Sequence, residues 1–310
     1  MFNGFFRYPT IGVIFMAGIN LAAAMQLFDT EVTLKYQNHL RLQGTIDERH
    51  GTTGTTLNVP VSDLIEMTLG DFAPVDIPPT PVDETNRQVL TNDYHVKTVI
   101  GGGEKTLFNF DKIVDHAKLH ALAGARNDDF LKIDAIFSDP SVGTIQTFPI
   151  TVGVNTGLNE GKIAAGIAYL ESQGVDIMDY SVSIWAPALL KTSLYADDRV
   201  VNFFYNDVKP LTDNRITGYL GCDMRFLGEN GINKIPRTGL GTLISPYVYL
   251  VPMVHKDAIV QSYNRDIMTS ITWLPNQDRW ELLTIMTSGA LIIQYNGIAL
   301  LTCNDPYVNN

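Results

Sequence analysis

Cysteine is nearly missing from this chain. Only Cys222 and Cys303 occur among 310 residues, far apart and in apolar surroundings, which argues against a disulfide framework or a cysteine-based metal site and fits a reducing cytoplasm as the place of synthesis. Basic charge is also scarce: 22 Lys and Arg face 33 Asp and Glu, giving a net charge of −11. Tight binding of nucleic acid in a groove needs clustered Lys and Arg, so that class is disfavoured. Long apolar runs are absent as well, since the run over residues 11–17 is broken by Gly18 and Asn20 and is too short to span a bilayer. Internal repeats, low-complexity tracts, and the Ser-X-X-Lys and Gly-X-Ser-X-Gly nucleophile signatures are missing too.

What is present suffices to fold. Hydrophobic residues make up 45% and charged residues 18%, enough for one large core or two modest ones. The chain is organised around residues 106–137, the longest proline-free stretch with helical spacing. Phe110, Val114, Ala117, Ala121, Ala125 and Leu131 recur near the 3.6-residue period, with Asp111, Asp115, Lys118 and Asp129 on the other side. At 1.5 Å per residue such a helix reaches about 45 Å. Ala117, Ala121, Gly124 and Ala125 leave a strip where another backbone can approach, expected to pack on the terminal β unit. Gly101, Gly102 and Gly103 before it and residues 138–143 after it are strong breakers.

In chain order, residues 1–25 combine Arg7, the apolar run and Ala22-Ala23-Ala24 in the manner of a secretory signal. The alternative is an arm that packs on a neighbour. Residues 18–40 have the spacing of an amphipathic helix through Leu21, Met25, Phe28, Val32, Tyr36 and Leu40. A polar, glycine-punctuated stretch over 44–54 then leads into an alternating strand at 55–61. The prolines at 74, 78, 79 and 81 forbid regular pairing, and a return strand follows over 85–100. This reads as a long two-stranded arm, too poor in core to be stable without a surface to lie on. Further expectations are a strand at 146–154, a helix at 158–174 ending at a glycine cap, and a buried strand at 180–186. A short helix opened by Pro187, a strand at 218–227 and an exposed loop at 228–241 come next. Strands at 243–254, 267–274, 279–288, 290–295 and 298–303 complete a β-rich end.

No constellation nominates a catalytic group. Residues 101–106, GGGEKT, lack the glycine directly before the lysine that a phosphate loop uses, and Glu104 would repel phosphate, so Gly101, Gly102 and Gly103 read as a hinge. His116 and His120 stand at i and i+4, but Ala117 occupies the place of the glutamate in the two-histidine zinc pattern, so surface or packing histidines are expected. The adjacent pairs Asp128-Asp129 and Asp197-Asp198 do not face each other on a helix and read as solvated surface. No cofactor, metal site or enzyme activity is expected.

Several segments carry a resemblance: residues 31–38 (EVTLKYQN) running into 40–46 (LRLQGTI), Asp93-Tyr94-His95, 121–129 (ALAGARNDD) and Gly174-Val175-Asp176. With the element order, the chain resembles the tailed-bacteriophage major capsid proteins of the Hong Kong 97 fold, podophage type, over nearly its whole length. The resemblance implies an α+β fold with an N-arm (1–47), an E-loop hairpin (48–105), a P-domain with a long spine helix (106–145), an A-domain (146–242) and a return to the P-domain sheet (243–310). It also implies a major capsid protein whose copies form the hexamers and pentamers of an icosahedral head, made in the bacterial host cytoplasm. Scaffolding and portal proteins are the implied partners, with packaged double-stranded DNA contacted weakly and without sequence specificity, and no membrane. Phe28, Tyr36 and Arg41 of the arm, and Arg49, Leu57, Val59, Ile77, Arg87 and Tyr94 of the E-loop, are the expected assembly interface. Some relatives weld their shells through an E-loop lysine, whereas residues 51–96 contain no lysine here. A non-covalent shell is therefore expected. An encapsulin-type compartment, a secreted β-rich binding protein and an enzyme are the competing readings.

Overall fold

The computed structural model describes residues 11–62, 84–101, 110–153, 156–177, 181–196, 218–229, 231–239, 247–277 and 279–304. Its elements in order are α1 (Ile11–His39), β1 (Asp47–His50), β2 (Thr56–Ser62), β3 (Glu84–Leu90), β4 (Asn92–Gly101), α2 (Phe110–Phe137), β5 (Gln146–Phe148), α3 (Glu160–Ser172), β6 (Val182–Pro187) and α4 (Lys191–Tyr195). They continue with β7 (Gly218–Tyr219), β8 (Cys222–Leu227), β9 (Arg237–Thr238), β10 (Val248–His255), β11 (Ile259–Leu274), β12 (Arg279–Ile292) and β13 (Ile298–Asn304). Contacts divide the chain into two compact units, one of residues 1–40, 93–128 and 265–287, the other of 41–92, 129–264 and 288–310. The expected hinge residues Gly102 and Gly103, the start of the long helix at 106–109, the tip residue Ile77 and the pair Asp197-Asp198 lie outside the described residues.

The first unit is a helix pair on a β-hairpin. Ala24, Phe28 and Val32 of α1 fall four residues apart and are buried, as are Ile113, Ala117 and Ala121 of α2. They share one core with Ile100 of β4, Ile271 of β11 and Leu282 of β12. The small residues of α2 permit the close approach: a Cβ on Gly124 would come within 3.3 Å of both the Tyr36 ring and the Ile267 side chain. The alanine strip thus meets α1 as well as the terminal strands. Phe28 also packs edge-on against the His120 ring, centroids 5.4 Å apart.

In the second unit, a sheet of order β5-β13-β10-β6-β8-β7, with β9 on β10, is buried on both faces. Successive strand residues point to opposite sides. Val182, Ile184 and Ala186 of β6, Tyr249, Val251 and Met253 of β10, and Ala299, Leu301 and Cys303 of β13 join Ile163 and Leu170 of α3 in one core. Trp185, Val254, Ile298 and Leu300 face the other way, joining Ile133 and Ile136 at the end of α2 and Leu42 and Ile46 after α1. Helix α3 starts at Asn159, whose side chain accepts from the Lys162 amide, and ends at Gly174 (φ +80°), where the Val175 amide reaches the Leu170 carbonyl.

Several strand expectations need correction. The return strand expected at 85–100 is two strands that part at Thr91: β3 pairs with β2, while β4 joins the sheet of order β1-β11-β12-β4. The strand expected at 218–227 is a two-residue hairpin in which Leu220 (φ 51°) and Gly221 (φ 78°) turn the chain so that Tyr219 pairs with Cys222. The expected strands at 279–288 and 290–295 are one strand, β12. The loop at 228–241 is partly buried through Asn233 and Ile235 and contributes β9.

Candidate assembly surfaces

A buried polar junction fixes the segment that leaves α1. Lys132 of α2 is fully buried, and its Nζ donates to the Leu42 carbonyl (3.1 Å) and to Glu48 Oε1 (2.6 Å). Glu48 Oε1 also accepts from the amide of Gly44, which sits at φ +74°. Asp129, one turn earlier, accepts from the Leu42 amide through Oδ1 (3.0 Å) and from Asn233 Nδ2 through Oδ2 (3.2 Å). The expectation that Asp128 and Asp129 are solvated is overturned, because both are buried. Buried charge is tolerable only when paired and hydrogen-bonded, which is how Asp129 and Lys132 are held. A lysine and an aspartate three apart on the apolar C-terminal half of a helix were the available signal, and spacing alone does not reveal what Leu42 and Asn233 supply.

The β2–β3 hairpin is moored at its base. Val59 and Val89 are buried with Val260 and Ile293, with Leu57, Val61 and Leu291 packed around them. Arg87 donates from Nη1 to the Ile292 carbonyl (3.0 Å) and lies 4.6 Å from the centre of the Tyr295 ring. Tyr295 in turn donates to the Asp139 carboxylate. The returning chain crosses β12 so closely that a Cβ on Gly289 would collide with the Leu90 carbonyl oxygen. On the outgoing side, Thr52 donates its amide to the Tyr263 carbonyl and Asn264 Nδ2 donates to the Gly54 carbonyl.

The residues expected at the interface are thus placed unevenly. Phe28 and Val59 are buried within the chain itself. Tyr36 is half-buried with its hydroxyl toward Met286 Sδ, Arg41 donates to the Phe226 carbonyl (2.9 Å), and Arg49 pairs with Asp47 (2.9 Å). Leu57, Arg87 and Tyr94 are half-buried, and Gly101 ends β4. Surface that is both exposed and apolar lies elsewhere, at Leu34, Leu90, Leu119, Met268 and Trp273. A groove of about 480 Å³ runs between Met25, Phe28 and Asp29 of α1 and residues 267–271 of β11. The β1 pairing covers β11 only from Val260 to Tyr263.

The histidine pair is a packing feature. Thr98 Oγ1 lies 3.0 Å from His116 Nδ1 and 2.9 Å from His120 Nε2, while His120 Nδ1 reaches Thr284 Oγ1 at 2.8 Å. Burial, then the neighbouring His116, lowers the His120 pKa to about 4, so its ring is neutral at pH 7. Burial pushes Cys222 and Cys303 up to about 12, leaving both as thiols. Burial also lowers the Lys162 pKa, and its Nζ donates to the carbonyls of Thr156 (2.8 Å) and Gly157 (2.7 Å) ahead of α3. Among the described residues no group of three His, Cys, Asp or Glu side chains could hold a metal ion, and no helix is long and apolar enough to cross a membrane.

Solved structures with the same architecture are phage shells and a related particle. The capsid asymmetric unit of cyanophage Pam1 aligns with a TM-score of 0.62 at 12% identity, covering 87% of this chain and 92% of that one. A mycobacterium phage Che8 structure aligns at 0.55 and 12% identity, over 80% and 85% of the two chains. The virus-like particle from Pyrococcus furiosus aligns at 0.57 and 11% identity, over 89% and 98%. No curated protein sequence matches. The fold is therefore the Hong Kong 97 type expected from the sequence. A family model described as phage capsid protein matches residues 20–305, from within α1 through the last strand, and the chain accordingly belongs to the phage capsid protein family.

Proposed function

We propose that this chain is the major capsid protein of a tailed bacteriophage, assembling as hexamers and pentamers into an icosahedral head around double-stranded DNA. The observation that carries the proposal is the extent of the family match, which includes the helix, the hairpin and both units. Physical features support it. A two-stranded sheet with no third strand among the described residues leaves open backbone edges that favour pairing with another chain. Head-to-tail contacts of such extensions close into rings, and rings of five and six tile a shell. A net charge of −11 suits a wall that touches packaged DNA weakly and without sequence preference. In this reading the N-arm, E-loop, spine helix, A-domain and returning P-domain sheet occupy residues 1–47, 48–105, 106–145, 146–242 and 243–310, with Arg41, Arg49, Leu57, Ile77 and Tyr94 facing neighbours. Scaffolding and portal proteins are the partners, and synthesis occurs in the host cytoplasm.

Electron microscopy of the protein expressed alone and with its scaffold is the test. Rings of five and six and closed particles containing nuclease-protected DNA are expected from infected cells. A chain that stays monomeric at high concentration in both settings would refute the assignment. The likeness to the virus-like particle from Pyrococcus furiosus favours one second reading, a protein-filled compartment. Particles that carry a protein cargo and no DNA would decide for it.

A further inference from the structure

We propose that Arg87, Tyr295 and Gly289 form a latch that sets the angle at which the β2–β3 hairpin leaves the body of the subunit before any neighbour is met. The inference rests on the shell reading only for what the preset hairpin is used for.

A hairpin tied to its body only through two chain ends would pivot about them, because nothing else opposes rotation. Here three kinds of contact oppose it. Val59 and Val89, on paired strands and within two residues of Arg87 in the register, bury their side chains with Val260 and Ile293. Opening the hairpin would return these apolar surfaces to water. Arg87 adds direction, since a guanidinium that donates to one carbonyl and also covers a ring face can satisfy both only over a narrow range of positions. Tyr295 is itself held, through its hydroxyl, by Asp139. Gly289 supplies the stop: with no Cβ it lets the Leu90 carbonyl rest directly on β12, and any side chain there would lift the returning strand.

The hairpin turns about residues 54–55 and 91, where the Thr91 amide and hydroxyl both donate to the Thr55 carbonyl (3.0 and 3.2 Å).

Spin labels at Asn86→Cys on β3 and Glu171→Cys at the end of α3 report the angle. Both sites are exposed, while Cys222 and Cys303 are buried thiols that resist labelling. Doubly labelled full-length chain is diluted into unlabelled chain so that only distances within one subunit are read. The native latch gives one narrow distance distribution. Arg87→Ala and Tyr295→Leu are expected to broaden it, with the released population rising roughly ten- to a hundredfold for Arg87→Ala on loss of a charged hydrogen bond and a cation–π contact. Arg87→Lys, which keeps the charge and loses the planar fork, should fall between. Gly289→Ala should move the mean distance without comparable broadening. Far-UV circular dichroism checks folding, and if Arg87→Ala does not fold, Tyr295→Leu decides. A native-like distribution in the folded variants overturns the latch and leaves the shell reading intact. A native chain that forms no particles but gives the narrow distribution, with the variants still broadening it, would leave the latch standing and remove the shell reading.

Discussion

Replacing Lys132 by methionine tests whether the junction after α1 is held by charge or only filled by it. The side chain is fully buried, and its ion-pair partner Glu48 retains 17% exposure. Removing the ammonium leaves the Leu42 carbonyl with the Thr45 hydroxyl at 2.7 Å, so that acceptor is not orphaned. Glu48 keeps the Gly44 amide, at 3.3 Å, as a donor beside partial solvent. Breaking a buried pair by removing one partner costs about 3 to 5 kcal/mol, and the residual exposure of Glu48 puts the expectation near the lower end, about 3 kcal/mol. Methionine has similar volume, so no cavity enters the figure. The double variant Lys132→Met, Glu48→Leu removes the stranded carboxylate and should recover more than half of the loss. Urea unfolding followed by the emission of Trp185, which is buried in the same core as Leu42 and Ile46, reads the change where it occurs. Two results would refute the reasoning: a single variant within about 0.5 kcal/mol of native, or a double variant less stable than the single one.

Acid should weaken the first unit through His120. Its pKa of about 4 lies below the ordinary 6.5, so between these values the unfolded chain binds a proton the folded one does not, and stability falls as pH drops. At pH 5 the loss is about 2 kcal/mol relative to pH 7, and none comes from this group above pH 7; His120→Gln should flatten that part of a stability-against-pH curve. Ala121→Leu should cost about 1 to 3 kcal/mol by overpacking a residue that is fully buried among Phe28, Val32 and Leu282, and native particle yield from that variant would count against the helix pair as a rigid core. Because residues 51–96 contain no lysine, particles should come apart in denaturant to single chains, and a ladder of covalent oligomers on a denaturing gel would show otherwise.

Some of this was legible in the residues and some was not, for identifiable reasons. The near-continuous apolar runs at Val182 to Ala186 and Ile298 to Cys303 mark strands buried on both faces, and Gly174 ends α3 as expected, while Asn159 caps its start inside the stretch read as helical. The long helix was found because four-residue spacing survives any tertiary context. Its polar residues misled, since Asp129 and Lys132 look like surface until Leu42 and Asn233 arrive from distant parts of the chain. Strand β11 was read short because Gln261 and Ser262 are polar yet fully buried. Strand β12 was split at Gly289, a residue that reads as a breaker but serves to let another backbone cross. The exposure of the arm residues was the least legible. Phe28 looks available on an isolated amphipathic helix, and only the small residues of α2 explain why it is covered within its own chain.

The order in which the sheets close has a consequence for synthesis. Asp47 of β1 pairs in parallel with Val260, and Gln146 of β5 pairs in parallel with Ala299, so each of the two larger sheets has an edge strand whose partner is separated from it by most of the chain or half of it. Parallel pairing across such separations is slow, because loop closure must precede the contacts that reward it. A nascent chain lacking β13 has neither its β5 edge nor the β10 neighbour Leu301 in place. Competence to meet other copies would then come late in each chain's life, and truncated products would be kept out of the growing lattice by their own incomplete topology.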